Sequence, residues 1–335
     1  RTVTKGSSKV VNKKRVELLL LLLGLILFLT APFYLTSEYL LKIATLVTLY
    51  ATMSLGWNLI GGYAGQISLG HAVFFGIGAY TTIILQINYN LSPWVGLFIG
   101  IVVAILVAIL IGFPTLQLSG HYFALGTLAL LQVTHILAIY FEELTGGPVG
   151  LNLPLLGHNP VMFQFESMIS YFYIGVVMLV LSLWISRKVL YSKLGYQLRA
   201  IKENPEAASL AGVNLFRSKM LALMISASIV SLAGTFYVQF IQFINPDAVF
   251  SFDMTIYMAL FAIVGGVGVW WGPLLGAVIL VPLSEYTSLK LTGDLAPLGQ
   301  LSYGLLLILI ILLRPRGIAS WIISLWERWW GVEKT

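Results

Sequence analysis

The 335-residue chain is 59% hydrophobic and only 10% charged, with a mean hydropathy of +0.92. This balance excludes an ordinary soluble globular protein and predicts a single polytopic membrane domain over residues 1–335. The net charge of +6 does not indicate nucleic-acid binding, because the basic residues flank apolar blocks and form no surface stripe. The chain has no cysteine, and its four histidines form no ligand pattern with carboxylates, so we expect neither disulfides nor a metal site.

A basic lead over residues 1–15 is followed by the apolar stretch Val16–Leu35. This stretch has about the ~20 residues that a membrane-spanning helix needs, and it lacks the cleavage site of a signal peptide. We therefore interpret it as a first transmembrane helix. Nine further apolar blocks follow, at residues 39–60, 66–86, 94–113, 121–141, 168–186, 219–240, 252–269, 273–290 and 297–313.

The sequence thus predicts an all-α polytopic membrane protein with about ten transmembrane helices. Tight junctions at Gly61–Gly65 and Pro114–Gly120 leave this count open by one or two. Lys and Arg accumulate on the cytoplasmic side of spans, and ten spans place seventeen of the nineteen basic residues on one side. Only Lys42 and Lys290 fall toward the outer side, so we expect both termini to be cytoplasmic.

Glycines cluster in two of the apolar blocks, GGYAGQISLGHAVFFGIGAY at 61–80 and GGVGVWWGPLLGA at 265–277. Small residues allow helices to pack closely, and they also accompany broken helices that line a cavity. The first cluster is chemically richer, because Gln66, Ser68 and His71 bring polar groups into it. Packing is the commoner reason for any one glycine, and the sequence leaves both roles open.

Ionisable side chains are nearly absent from the predicted spans. Asp253 and Glu285 come nearest, and both fall close to the predicted outer helix ends. Acidic and basic residues inside spans usually mark proton relays and ion pathways, so a transporter with this sequence is expected to draw its energy elsewhere. A histidine in a span more often bonds a neighbouring helix than binds a ligand. The chain also lacks the G-x-x-x-x-G-K-[ST] phosphate loop and therefore does not bind ATP by that motif.

Two further segments are expected at the membrane surfaces. The longest outer segment, 142–167, is rich in Gly and Pro, and we favour a cap on the helical bundle over a receiving site for a soluble partner. The carboxyl-terminal segment 319–335 mixes tryptophans with charges, which predicts an interfacial location in contact with membrane lipid.

The longest hydrophilic stretch, which we call the island, covers the segment 187–218 between two spans. Asn204 can cap a helix that has Pro205 at its first position and Glu206 in its first turn, and Gly212 supplies a stop. A short helix of small residues with basic flanks can dock into a groove of another protein. From these residues alone, a plain solvated connector remains equally open.

Four stretches in this order resemble LivM-type permeases of branched-chain amino acid ABC transporters. They are SLGWNLIGGYAGQISLGHAVFFGIGAY (54–80), GYQLRAIKENPEAASLAGVNLFRSK (195–219), GGVGVWWGPLLGA (265–277) and RPRGI (314–318). The resemblance covers most of the chain after the first helix. It implies a non-catalytic permease subunit of an ATP-driven importer in a bacterial cytoplasmic (inner) membrane. It also implies a second related permease, two cytoplasmic ATPases that bind the ATP and Mg, and a periplasmic substrate-binding protein, with no cofactor in this chain.

The resemblance assigns the island to ATPase coupling. The residues at the positions of the docking loop are Glu203, Asn204, Pro205, Glu206, Ala207, Ala208 and Gly212. A substrate path between this chain and the second permease is expected to use neutral polar groups near small residues. The candidates for lining it are Gln66, Ser68, His71, His121, Tyr122 and Thr127.

Other functions remain open at this stage. Within the family the substrate can be urea, a short amide or another hydrophobic amino acid in place of a branched-chain one. A secondary carrier or channel would work without any ATPase and would need its own coupling ion or filter. A membrane-embedded enzyme would need a cluster of His, Asp or Glu near one bilayer face, which the sequence does not offer.

Overall fold

The computed structural model describes residues 24, 28–35, 37–290, 304, 308, 312 and 317–322. The predicted basic lead, about half of the first predicted span and nearly all of the tenth lie outside this part, as does most of the carboxyl-terminal segment. The α-helices are, in chain order, α1 (Ala31–Tyr34), α2 (Glu38–Asn58), α3 (Ala72–Tyr89), α4 (Pro93–Thr115), α5 (His121–Tyr140), α6 (Glu142–Thr145), α7 (Met168–Leu190), α8 (Lys193–Glu203), α9 (Pro205–Leu210), α10 (Leu215–Ile241), α11 (Pro246–Val249), α12 (Phe252–Gly265) and α13 (Gly272–Lys290).

Two very short strands, a π-helical turn (Leu59–Tyr63) and two 3₁₀ turns (Gly147–Val149 and Pro160–Met162) accompany these helices. Strand β1 (Leu151–Asn152) pairs antiparallel with β2 (Phe243–Ile244), with Leu151 opposite Ile244. This pairing ties the predicted outer segment to the connection between α10 and α11. The fold of the described residues is therefore helical, with its strands confined to one end of the bundle.

Seven helical stretches in the described part are long and apolar enough to cross a membrane. They are Glu38–Tyr63, Ala72–Tyr89, Pro93–Thr115, His121–Tyr140, Met168–Leu190, Leu215–Ile241 and Pro246–Gly265, and a shorter apolar helix follows at Gly272–Thr287. Each of these eight helices overlaps one of the eight predicted blocks between residues 39 and 290. The polytopic helical prediction is thus confirmed in outline.

Both glycine clusters contain a helix break close to a junction between two predicted spans, but the bounds of each break differ from the predicted ones. The predicted span 66–86 is too long at its start, because α3 begins only at Ala72 and residues 65–71 are not helical. The predicted span 252–269 likewise ends early, at Gly265. Helix α2 passes into a π-helical turn, Leu59–Tyr63, before the first break.

The centre of the bundle is the tight contact between α3 and α10. Thr82 Oγ1 lies 3.0 Å from Thr235 Oγ1, and one turn further along Gln239 Nε2 donates to Gln86 Oε1 at 2.8 Å. A β-carbon at Gly234 would collide with the backbone carbonyl of Phe75, so the two backbones touch. The close approach of α3 and α10 therefore allows buried polar side chains to form interhelical hydrogen bonds, and we call this contact the polar seam.

The peripheral helices α4 and α5 leave much of their surface uncovered. The exposed side chains of α4 are apolar, including Phe98 and Leu110 at 69% and 74% exposure. Helix α5 also exposes Gln132 in its middle and Tyr122 near its start. The outward surface of α4 therefore suits lipid, whereas that of α5 is partly polar.

Candidate functional site: the island helices and the first helix break

The island folds into two helices, of which α8 is anchored to the bundle. Ser192 caps α8 through its side-chain oxygen, which accepts from the amide of Gly195. The helix is amphipathic, and Leu198 and Ile201 bury their side chains almost completely. This buried stripe fixes the direction in which the chain leaves toward α9.

Helix α9 forms as its sequence predicts. Asn204 Oδ1 accepts from the Ala207 amide at 3.0 Å, and Pro205 occupies the first helical position. Gly212, with φ of +82°, lies just beyond the end of the helix in a left-handed conformation that suits glycine. Local capping rules therefore account for both ends of this six-residue helix.

The predicted coupling residues do not all share the exposed surface of α9. Glu203, Asn204, Pro205, Glu206, Ala207 and Gly212 are exposed. Ala208 is only 4% exposed, because α9 packs against α8 and the start of α10, so its side chain is absent from the outward surface.

Leu210 is the residue of α9 that sequence reasoning missed. It is 91% exposed, the highest exposure among the large hydrophobic side chains of the described part. A six-residue helix is too short for apolar periodicity to show which side chains point outward. The signal available in the sequence was a single large apolar residue, Leu210, in a helix of small and polar residues just before the predicted stop at Gly212.

A lysine joins the island to the first helix break. Lys202 Nζ donates to the carbonyl oxygen of Gly62 at 3.0 Å, across 140 residues of chain. Gly62 belongs to the π-helical turn that ends α2. The sequence shows Lys202 only as one of several basic residues of the island, and no local pattern predicts this contact.

Residues 65–71 form the first helix break, and His71 holds them against the bundle. The Ser226 hydroxyl donates to the Gly56 carbonyl at 2.7 Å and so accepts from His71 Nε2–H at 2.9 Å. In the neutral ring, Nδ1 then accepts from the Ser68 hydroxyl at 2.7 Å. His71 is fully buried and makes the interhelical hydrogen bond that the sequence favours for it.

A small pocket lies between this break and α5, and two predicted path residues line it. Ser68 and Thr127 meet there, beside Phe74 and Phe123. The Leu69 amide donates to Thr127 Oγ1 at 3.0 Å, which fixes the segment against α5. The pocket walls combine hydroxyl groups with aromatic rings and carry no formal charge.

The other predicted path residues lie elsewhere. Gln66 is buried outside this pocket, and its Oε1 has no hydrogen-bond partner among the described residues. His121 and Tyr122 are exposed at the start of α5. No group of three or more His, Asp or Glu residues in the described ranges is placed to hold a metal ion.

Comparison with known proteins identifies the family. A family model described as branched-chain amino acid transport system, permease component, matches residues 39–313. The high-affinity branched-chain amino acid permease LivM of Escherichia coli is 29% identical over 325 residues, covering 89% of this chain and 74% of the relative. LivH of the same bacterium is 27% identical, covering 82% and 92%.

A more distant relative is the nucleoside ABC transporter permease NupC of Lactococcus lactis, 21% identical over 70% of this chain and 76% of its own. No solved structure matches this chain. The family match spans both glycine clusters, the pocket and the island. The chain therefore belongs to the family of branched-chain amino acid transport permeases, and it resembles the LivM type.

Proposed function

We propose that this chain is the membrane permease subunit of an ATP-driven importer for branched-chain or other hydrophobic amino acids. It forms the path with a second, related permease in the bacterial cytoplasmic membrane. Two cytoplasmic ATPases bind ATP and Mg, and a periplasmic binding protein delivers the substrate. LivM and LivH are two permeases of one kind of transport system, and the similarity of this chain to both supports a paired arrangement.

One observation carries the coupling part of the proposal, namely the exposed end of α9. The helix is capped at Asn204, held by α8 and displays Leu210 at 91% exposure. A leucine so placed suits an apolar pocket of a protein partner, since buried apolar anchors dominate binding energy at interfaces. Glu203 and Glu206 are exposed acidic groups of the island that can pair with basic residues at the pocket rim.

The pocket of Ser68 and Thr127 is the proposed first contact of the substrate with this chain. The pocket has room for only about one water molecule in this conformation, so we expect the first break and α5 to separate before an amino acid enters. His71 positions Ser68 from behind.

Helix α5 is the proposed wall that faces the second permease. Gln132 is exposed in the middle of this span, and a polar side chain is costly against lipid. His121 and Tyr122 extend this partly polar surface toward the start of the helix.

The proposed mechanism couples ATPase binding at α9 to the conformation of the membrane spans. ATP binding closes the ATPases, moves α9 with them and shifts the spans between outward- and inward-facing states. This shift requires the ATPases to bind the two states with different affinity. No ionisable residue of the described spans is assigned a coupling role.

The decisive experiment measures ATP-dependent uptake in proteoliposomes that contain this chain and its co-purifying subunits with the binding protein. The variant is Leu210→Glu, and the matched control is Leu155→Glu, which changes another exposed leucine at the opposite end of the bundle. We expect Leu210→Glu to release the ATPase and abolish uptake, and Leu155→Glu to retain the bound ATPase. Intact ATPase binding and uptake in Leu210→Glu would make the island a plain connector.

Two further measurements test the dependence on ATP and the substrate class. Uptake by this chain alone, without ATP, would identify a secondary carrier. Competition of labelled leucine uptake by excess valine, urea or a nucleoside tests the substrate class. We expect valine to compete and urea and nucleosides not to compete, in line with the higher identity to LivM than to NupC.

A further inference from the structure

The contact between Lys202 and Gly62 lies where a helix loses its regular hydrogen bonding. The last carbonyl groups of a helix lack intrahelical partners and carry partial negative charge. After the π-helical turn the chain folds back, and the Gln66 amide donates to the Ile60 carbonyl at 3.1 Å. Lys202 Nζ donates a hydrogen bond to the Gly62 carbonyl oxygen at 3.0 Å, so a cation from the island stabilises the broken end of α2.

The same lysine lies close to both glycine clusters. A β-carbon at Gly65, whose φ is +69°, would lie 2.8 Å from Lys202 Cγ, so the side chain runs directly over this glycine. A β-carbon at Gly268 would lie 3.7 Å from Lys202 Nζ. Lys202 therefore reaches the point at which the first break (65–71) and the second (266–271) approach each other.

Asn58, the last residue of α2, fastens the end of that helix to the second break. Its Oδ1 accepts from the Gly268 amide at 2.9 Å, and its Nδ2 donates to the Val269 carbonyl at 3.0 Å. The end of α2 is thus bonded directly to the segment that connects α12 and α13. Six residues after Gly62 the chain reaches Ser68 and the pocket.

We propose that Lys202 is a positioning residue that transmits the movement of α9 to both helix breaks through the Gly62 carbonyl. This inference rests on the proposed docking of the ATPase at α9. Lys202 lies in the last turn of α8, two residues before the cap of α9, and so is close in the chain to the start of α9. The breaks are the non-helical segments of the bundle that can change conformation without unfolding a span.

The test uses Lys202→Cys, because the chain has no other cysteine. The ratio measured is amino acid taken up per ATP hydrolysed, in the assembled complex with its binding protein. A hydrogen bond from a charged group is lost, so we expect this ratio to fall about tenfold or more while the ATPase stays bound. Treatment with 2-bromoethylamine then alkylates the thiolate, with loss of bromide, and yields a side chain that nearly reproduces lysine.

Recovery after aminoethylation, and none after ethylation with bromoethane, is the expected result. Wild-type complex treated identically reports any effect on cysteines of the partners. Lys193→Cys is the matched control, because Lys193 is exposed at the other end of the same helix. We expect its ratio to stay unchanged before and after treatment.

Several outcomes would overturn the inference. An unchanged ratio in Lys202→Cys, or equal recovery with both reagents, would show that the cation is not needed. Loss of the ATPase from the complex would make Lys202 a docking residue. If the cysteine variant fails to assemble, Lys202→Arg provides the test, since it keeps a cationic donor, and uncoupling in that variant with the ATPase bound would reject the proposal.

Failure of the proposed function itself gives a different result. Uptake that needs no ATP, or an ATPase that stays bound to Leu210→Glu, would contradict docking at α9 whatever the ratio in Lys202→Cys. Unchanged coupling in Lys202→Cys with normal ATP-driven uptake would reject the transmission role alone.

Discussion

The two hydrophilic connections of this permease are built in opposite ways. The segment 142–167 is fastened to the bundle at many points, whereas the helix α9 of the island 187–218 packs against α8 and the start of α10. The sequence favours a cap for the first segment and leaves the second open between a docking helix and a plain connector. One end of the bundle is therefore closed by a packed cap, and the other carries a short helix whose residues are exposed except for Ala208.

An aromatic plug fixes the outer segment. Phe163 is 1% exposed, although its backbone has a positive φ of +57°, which is uncommon for a large residue. Its ring centroid lies 4.5 Å from that of Trp94 and 6.3 Å from that of Phe236. Gln164 adds two hydrogen bonds to neighbouring backbone, so the segment has the packing of a cap.

The largest effect is expected at this plug. Phe163→Ala removes a fully buried ring and leaves a cavity, which should lower the free energy of unfolding by about 3–5 kcal/mol. The measurement is thermal or denaturant unfolding in lipid nanodiscs. Leu155→Ala, in the same segment but 79% exposed, is the control and should change stability by less than about 0.5 kcal/mol. A similar loss of unfolding free energy in both variants would show that Phe163 does not fix the outer segment.

The next effect concerns the buried side of α9. Ala208→Glu places a carboxylate where the side chain is 4% exposed, which should cost about 1–3 kcal/mol and detach the helix locally. Ala207→Glu makes the same change one residue earlier on the exposed surface and should leave α9 folded. Hydrogen exchange of the amides of residues 205–213 reports the outcome, and equal protection in the two variants would show that α9 is not packed.

A smaller effect is expected at the cap of α9. Asn204→Ala removes the acceptor of the Ala207 amide and should destabilise the helix by about 1 kcal/mol. Asn204→Asp keeps an acceptor oxygen and should preserve protection of the Ala207 amide against hydrogen exchange. Faster exchange in both variants would mean that the side-chain oxygen does not hold the helix.

The smallest effect on stability, and a large one on binding, is expected at Leu210. Leu210→Ala should change the free energy of unfolding by less than about 0.5 kcal/mol, because the side chain is exposed. It should nevertheless weaken binding of the isolated ATPase by about tenfold or more, as expected for a central apolar anchor. Titration of the ATPase against the purified permease measures this, and unaltered affinity would remove Leu210 from the interface.

The local rules that govern helix ends predicted α9 from Asn204, Pro205 and Gly212. The burial of Ala208 was not predictable, because it depends on how α9 rests on α8 and α10. The family and the multi-span character also followed from the sequence, since long apolar blocks and the island motif are local features. The site roles within the island and the pocket remain predictions.

The exact bounds of the helix breaks could not be predicted for a different reason. Glycine-rich apolar runs are compatible both with a continuous helix and with an interrupted one. At the first break the choice depends on distant partners, such as Ser226 for His71 and Lys202 for Gly62. Contacts across more than a hundred residues leave no periodic signal in a single sequence.

The polar seam between α3 and α10 has a consequence for biogenesis. Thr82 and Gln86 enter the bilayer with α3, while their partners Thr235 and Gln239 are synthesised 153 residues later. Until α10 is inserted, the amide group of Gln86 lacks its interhelical partner in an apolar environment, which carries a free-energy cost. A nascent chain is therefore most exposed to quality control before its last third emerges from the ribosome. Truncations that end before residue 239 should be degraded even when they retain most of the spans.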